Sequence, residues 1–177
     1  MKIALLQTKV ADDKTSNIRN AAEMIKKAAD MGAEAAILPE MFNCPYETEK
    51  FPLYAEEKGG QTYDAMAGSA EENGVLLVAG SIPEKSGEKL YNTSFVFSPS
   101  GEEIAFHRKA HLFDIDIRGK QSFRESDSFT AGDKTTVFEY GGRIFGLAIC
   151  FDIRFPELAR NMVLDGAEVI LCRRHSI

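Results

Sequence analysis

Two hydrophobic periods alternate along this chain. Short apolar runs closed by Gly, Pro or a charge are interleaved with stretches where apolar residues recur every three or four positions. Residues 3–7 and 33–38 are runs of the first kind and predict strands. Between them Ile18, Ala21, Ala22, Ile25, Ala28 and Ala29 predict a helix over 17–31, with Gly32 as a natural stop. Strand, helix and strand make a βαβ unit, so an α/β fold with some parallel pairing is expected. A helix over 62–72 and a strand over 75–80 follow. Residues 90–97 and 102–107 flank Ser98-Pro99-Ser100-Gly101, and residues 135–140 and 143–149 flank Gly141-Gly142, so two antiparallel hairpins make the sheet mixed. Residues 43–60 read as an ordered loop, 81–89 as a polar turn, and 110–131 as a long loop of the kind that is usually functional. A helix over 156–164 and a strand over 168–171 close the pattern. With no repeat or linker, residues 1–177 read as one domain.

One junction carries chemistry. Ile144, Phe145, Leu147, Ala148 and Ile149 form a buried strand, Cys150 ends it, and Pro156 takes the first position of a helix, with Glu157 in the first turn. A strand, a thiol, a sharp turn and a helix present a nucleophile at the carboxyl end of a strand, with backbone N–H groups nearby for an oxyanion. The alternative is a buried cysteine that packs as a small hydrophobe, and the strand pattern alone favours it. Two further residues share the address of Cys150: Glu40 and Lys109 also stand just past predicted strands, where α/β sites assemble. A carboxylate can accept the thiol proton, and a cation can lower the thiol pKa. His107 and His111 flank Lys109, and no His is placed like a cysteine-protease partner. Asn92-Thr93-Ser94 matches a glycosylation sequon, which a leaderless strand makes irrelevant.

Composition narrows the classes. The 177 residues are 44% hydrophobic and 27% charged, and the net charge of −6 gives no reason to expect a nucleic acid or anionic membrane as partner. Cys44, Cys150 and Cys172 cannot all pair and lack metal-ligand spacing, so neither a disulfide framework nor a zinc site is expected, and a reducing, cytoplasmic location fits. The apolar run after Lys2 is too short for a signal peptide or a membrane span.

The stretches LPEMF around Glu40, HRKAHLF around Lys109 and GLAICFDIRFPELAR around Cys150 resemble, in order and separation, the nitrilase superfamily of carbon–nitrogen hydrolases. FNCPY, HLFDIDIRGK and FRES are most similar to its omega-amidase branch. The resemblance implies an α/β fold of the four-layer α-β-β-α sandwich type, with Cys150 as nucleophile and Glu40 as general base. It implies that Lys109 and the N–H of Phe151 hold the oxyanion, that Glu125 supports the lysine and positions substrate, and that Tyr46 lines the pocket. Asp152, Arg154 and Glu157 are expected to brace the turn by salt bridges, while Cys44 and Cys172 pack. The implied substrate is a small-molecule amide, the terminal amide of a dicarboxylic or α-keto acid, cleaved through a thioester with release of ammonia, without cofactor or metal and in a homo-oligomer. Alternatives are a nitrile or carbamoyl substrate, a silent fragment that acts only by association, and a redox-sensing thiol.

The resemblance departs at the end. Relatives carry a Pro-Ala-x-Phe-like turn after the last strand, where this chain has Arg173, Arg174 and His175 in an atypical tail over 172–177. The sequence therefore reads as a chain incomplete at its C-terminus. It is expected to self-associate or to be unstable, with the tail arising from a frameshift near residues 171–172, because its codons in a shifted frame permit Pro-Ala-Ala-Phe-Asn.

Overall fold

Strands β2 (Ala35–Ile37) and β3 (Leu76–Val78) are apolar on both faces, and the two faces enter different cores. In the computed structural model, which describes residues 1–117 and 121–174, Ala35, Ile37, Leu76 and Val78 point into one cluster. Ala36, Leu38, Leu77 and Ala79 point into another. Period-two alternation produces this division, and a strand covered on both sides reads as a continuous apolar run.

The first sheet begins with β1 (Ile3–Leu5), β2 and β3 in parallel, as the βαβ pattern predicts. It continues antiparallel through β5 (Lys89–Phe97), which pairs β3, β4 (Ile82–Ser86) and β6 (Glu103–Arg108). The second sheet has the order β11 (Val169–Arg173), β10 (Arg143–Ile149), β9 (Val137–Tyr140). The sheets meet face to face where β2, β3 and Val96 of β5 pack on Phe138, Phe145, Leu147 and Leu171. Helices α1 (Lys14–Asp30) and α3 (Gln61–Asn73) cover the outer face of the first sheet, and α4 (Pro156–Leu164) covers the second through Leu158 and Met162. The layers therefore run α-β-β-α.

Local chemistry explains the boundaries. Helix α1 starts three residues before the expected position because Asp13 caps it, accepting from the Thr15 N–H at 3.2 Å. Helix α3 stops at Gly74, which turns left-handed at φ 59°. The expected polar turn over 81–89 is instead strand β4 and a tight connection to β5. Pro83, Glu84 and Lys85 disguise it in the sequence, but Glu84 is buried because Arg108 binds it through two nitrogens, at 2.6 and 2.8 Å. The expected loop over 110–131 holds a hairpin of β7 (Asp114–Ile117) and β8 (Gln121–Arg124), then a 3-10 turn over Glu125–Asp127. Within the irregular 43–60 stretch, Phe51–Tyr54 forms one short helix, α2. Of the tail, Arg173 ends β11, and His175 lies outside the described residues.

Candidate active site

Glu40 lies three residues past β2. Pro39 ends the strand, and Met41 takes the left-handed φ of 52° while its N–H donates to Ser81 Oγ at 3.2 Å. The turn folds inward because the chain opposite comes close. Gly80, at φ 49°, leaves no room for a Cβ, which would sit 2.1 Å from the Pro39 carbonyl oxygen. From the second sheet, the Arg174 carbonyl accepts the Glu40 N–H at 3.3 Å. Lys109 follows β6 directly, with its N–H on the Asn92 carbonyl and its own carbonyl accepting from Gly132.

These turns bring the expected residues together. Lys109 Nζ lies 2.9 Å from Glu40 Oε1 and 2.8 Å from Glu125 Oε2, and the three side chains are entirely buried. Glu125, at the start of the 3-10 turn, also accepts from the Tyr46 hydroxyl at 2.7 Å and the Phe113 N–H at 2.6 Å. Cys150 directly follows β10 and opens a 3-10 turn at φ 47°, a backbone conformation that costs a non-glycine residue about 1–2 kcal/mol. Its thiol is hydrogen-bonded to Glu40.

Burial pushes the Cys150 thiol up to about 12; the Glu40 charge adds to this, and Lys109 opposes it. The group is therefore a neutral thiol facing the Glu40 carboxyl group. Burial works against the charge on Lys109, but Glu40 and Glu125 together outweigh it and hold the ammonium above its ordinary value. Burial, followed by the two glutamate charges, raises Tyr46 as well. A cavity of about 790 Å³ opens above this cluster. Glu40 and Cys150 form its floor, Tyr46, Phe113 and Phe151 its aromatic walls, and Arg154 and Arg174 its cationic side.

The brace differs from expectation. Arg154 and Glu157 make no salt bridge among the described residues; Arg154 faces the cavity instead. Asp152 alone ties the turn, with Oδ2 accepting from the Ile149 N–H at 3.0 Å and lying 3.1 Å from His107 Nε2. Its Oδ1 accepts from the N–H groups of Ala110 and His111 and lies 2.9 Å from His111 Nδ1. The two histidines around Lys109 thus serve the carboxylate beside Cys150. Cys44 packs in a buried cluster, and Cys172 brings its sulfur to 3.8 Å from the Cys150 carbonyl.

Asn92 belongs to this cluster too, although the sequence shows it only as part of a dismissed sequon. Its Nδ2 lies 3.0 Å from Glu40 Oε1 and 3.3 Å from Glu125 Oε1. The available signal was three consecutive polar residues inside an apolar strand; Asn92, Thr93 and Ser94 are all fully buried. Among the described residues no group of three His, Cys, Asp or Glu could hold a metal ion, and no helix is long and apolar enough to cross a membrane.

A thiol, a carboxyl group and a lysine meet between two stacked sheets, and the chain belongs to the carbon-nitrogen hydrolase family, whose model matches residues 2–176. It is 48% identical over 174 residues to a hydrolase of Schizosaccharomyces pombe, covering 96% of this chain and 53% of that one. It is 44% identical over 170 residues to omega-amidase NIT2 of Xenopus tropicalis, covering 96% and 62% respectively. Among solved structures, Saccharomyces cerevisiae Nit3, a member of branch 10 of the nitrilase superfamily, superposes with a TM-score of 0.86 at 33% identity, covering 98% of this chain and 64% of that one. The chain spans between half and two thirds of the length of these relatives.

Proposed function

We propose that this chain hydrolyses the terminal amide of a small dicarboxylic or α-keto acid through a thioester on Cys150. The observation that carries this reading is a Cys150 thiol hydrogen-bonded to Glu40, whose carboxylate shares the buried Lys109 with Glu125 at the floor of the cavity. Attack of the sulfur on the amide carbonyl transfers the thiol proton to Glu40. Lys109 has three N–H bonds; two are directed at the glutamates, and the third, with the Phe151 N–H, stabilises the oxyanion. Collapse of the intermediate expels ammonia with the proton held by Glu40. Water then attacks the thioester, giving its proton to Glu40, which returns it to the departing thiol as the acid leaves. Arg154 and Arg174 supply the charge that suits a carboxylate on the far end of the substrate. Tyr46 and Phe151 pack against its carbon chain, and Glu125 orients the lysine.

The reading extends to a cytoplasmic, single-domain protein that acts as a homo-oligomer. Three free cysteines support the compartment, and the exposed Val163 and Leu164 of α4 support the assembly. Ammonia release from a panel of ω-amides, nitriles and carbamoyl compounds tests the function. Turnover should be confined to ω-amides with a free carboxylate, vanish in Cys150→Ala, and persist in Cys44→Ala. Lys109→Arg should lose at least about a hundredfold, because a planar fork cannot place the same point charge. Comparable turnover in Cys150→Ala and the parent would end the proposal.

A further inference from the structure

Two carboxylates and one ammonium, Glu40, Glu125 and Lys109, form one fully buried cluster, of which Glu40 lines the cavity. A Glu40 that carried a proton could not accept one from a thiol, so the hydrogen bonds its carboxylate receives bear on that step. The lysine neutralises one charge and leaves the other to be accommodated by hydrogen bonds. Tyr46 and the Phe113 N–H donate to Glu125. Besides Lys109, the side-chain amide of Asn92 reaches both glutamates, 3.0 Å from Glu40 Oε1 and 3.3 Å from Glu125 Oε1.

We propose that Asn92 is a positioning residue for the base: its amide directs one hydrogen to each glutamate, keeping Glu40 ionised and aimed at the Cys150 thiol. Its orientation carries the argument. Ionised carboxylates only accept hydrogen bonds, so the amide must present nitrogen to them. The Asn92 Oδ1 is consequently left buried without a hydrogen-bond partner among the described residues. A buried acceptor left unmade is costly, and an asparagine present merely to complete the strand has no reason to accept that cost. The backbone fixes its reach as well, since the Asn92 carbonyl accepts the Lys109 N–H at 2.9 Å and so ties the residue to the lysine it works beside. Glu40 is faced by Lys109, Glu125, Tyr46 and the Cys150 thiol, with Arg173 contributing more distantly. None of these is altered by a substitution at Asn92.

This inference rests on the assignment of Glu40 as the base, and its test needs no turnover. The rate at which iodoacetamide alkylates Cys150 is followed by peptide mass spectrometry from weakly acidic to weakly alkaline pH. The parent should show a rate that climbs with pH to a plateau, and Glu40→Gln should flatten that climb. Asn92→Asp replaces the donor by a third carboxyl, and Asn92→Leu removes it with little change in size. Each should move the half-maximal pH upward by about one unit or more, a roughly tenfold slower reaction at a fixed acidic pH. Asn92→Ser keeps one donor and should fall between. A lower plateau with an unmoved midpoint in any folded Asp or Leu variant would make Asn92 a packing residue and overturn the proposal. Failure of all three variants to fold, or a climb that survives Glu40→Gln, would overturn it too. If the parent releases no ammonia yet its alkylation profile obeys these rules, the amidase reading fails while the role of Asn92 stands; normal turnover with unmoved midpoints gives the reverse.

Discussion

Asp152 is where the segment bearing Lys109 and the turn bearing Cys150 are held in register. Three backbone N–H groups and two imidazoles converge on a carboxylate that solvent scarcely reaches. Burial raises its affinity for a proton, but His107 and the other donors outweigh that and hold it below 3.8. Asp152→Asn turns an acceptor into a donor facing donors, and should destabilise the fold by about 3 kcal/mol at neutral pH. The sign of the pH dependence follows from the lowered value. The contribution of Asp152 is complete above the unfolded-state value and is lost as pH falls through the lower folded-state value. Urea unfolding of parent and variant should therefore converge in acid, and a gap independent of pH would contradict the carboxylate's role. Sequence position marked Glu40, Lys109 and Cys150 as candidates, because each stands just past a strand, and family likeness assigned them roles. Glu125 became legible only through family likeness, and Asn92 and the histidine partners of Asp152 not at all. Their partners lie 41 to 52 residues away for the Asn92–Glu40 and Asp152 contacts, and only strand pairing brings them together.

At the scale of elements, the segments hardest to read are those whose polar residues are buried by pairing. Strand β4, expected as a polar turn because of Pro83, Glu84 and Lys85, is formed by pairing with β5, and Arg108 on β6 binds its buried Glu84. The preceding bend depends on Gly80, both for its left-handed φ and for its closeness to Pro39. Gly80→Ala should cost about 3 kcal/mol in chemical denaturation and lower turnover further, because the displaced carbonyl immediately precedes Glu40. Strand β11 holds the opposite kind of element. Arg173 lies on the same face as Leu171, and its three guanidinium nitrogens are buried without hydrogen-bond partners among the described residues. Burial lowers it to about 10. An uncompensated buried cation is destabilising, so Arg173→Met should raise stability by about 2 kcal/mol, read as a higher unfolding midpoint. An unchanged or lower midpoint would mean the guanidinium has stabilising contacts after all.

Across the whole molecule, Glu40 and Lys109 follow strands of one sheet, while Cys150 follows a strand of the other. Apart from the polar ties through Asp152 and the Arg174 carbonyl, those sheets are joined by an apolar seam, Ala35, Ile37, Val78 and Val96 against Phe138, Phe145, Leu147 and Leu171. Each sheet also has its own helices and its own core. Proteins open in cooperative units well before they unfold globally, and a seam between two self-sufficient layers is a natural parting plane. A rise of urea below the main transition should therefore abolish ammonia release while far-UV circular dichroism is still native, and withdrawal should restore it. Coincident loss of both signals would mean the layers part only on global unfolding. If they part earlier, the proposed hydrolysis is a clock on the breathing of the sandwich: the Cys150 thiol meets Glu40 only for the fraction of time that the two layers are closed.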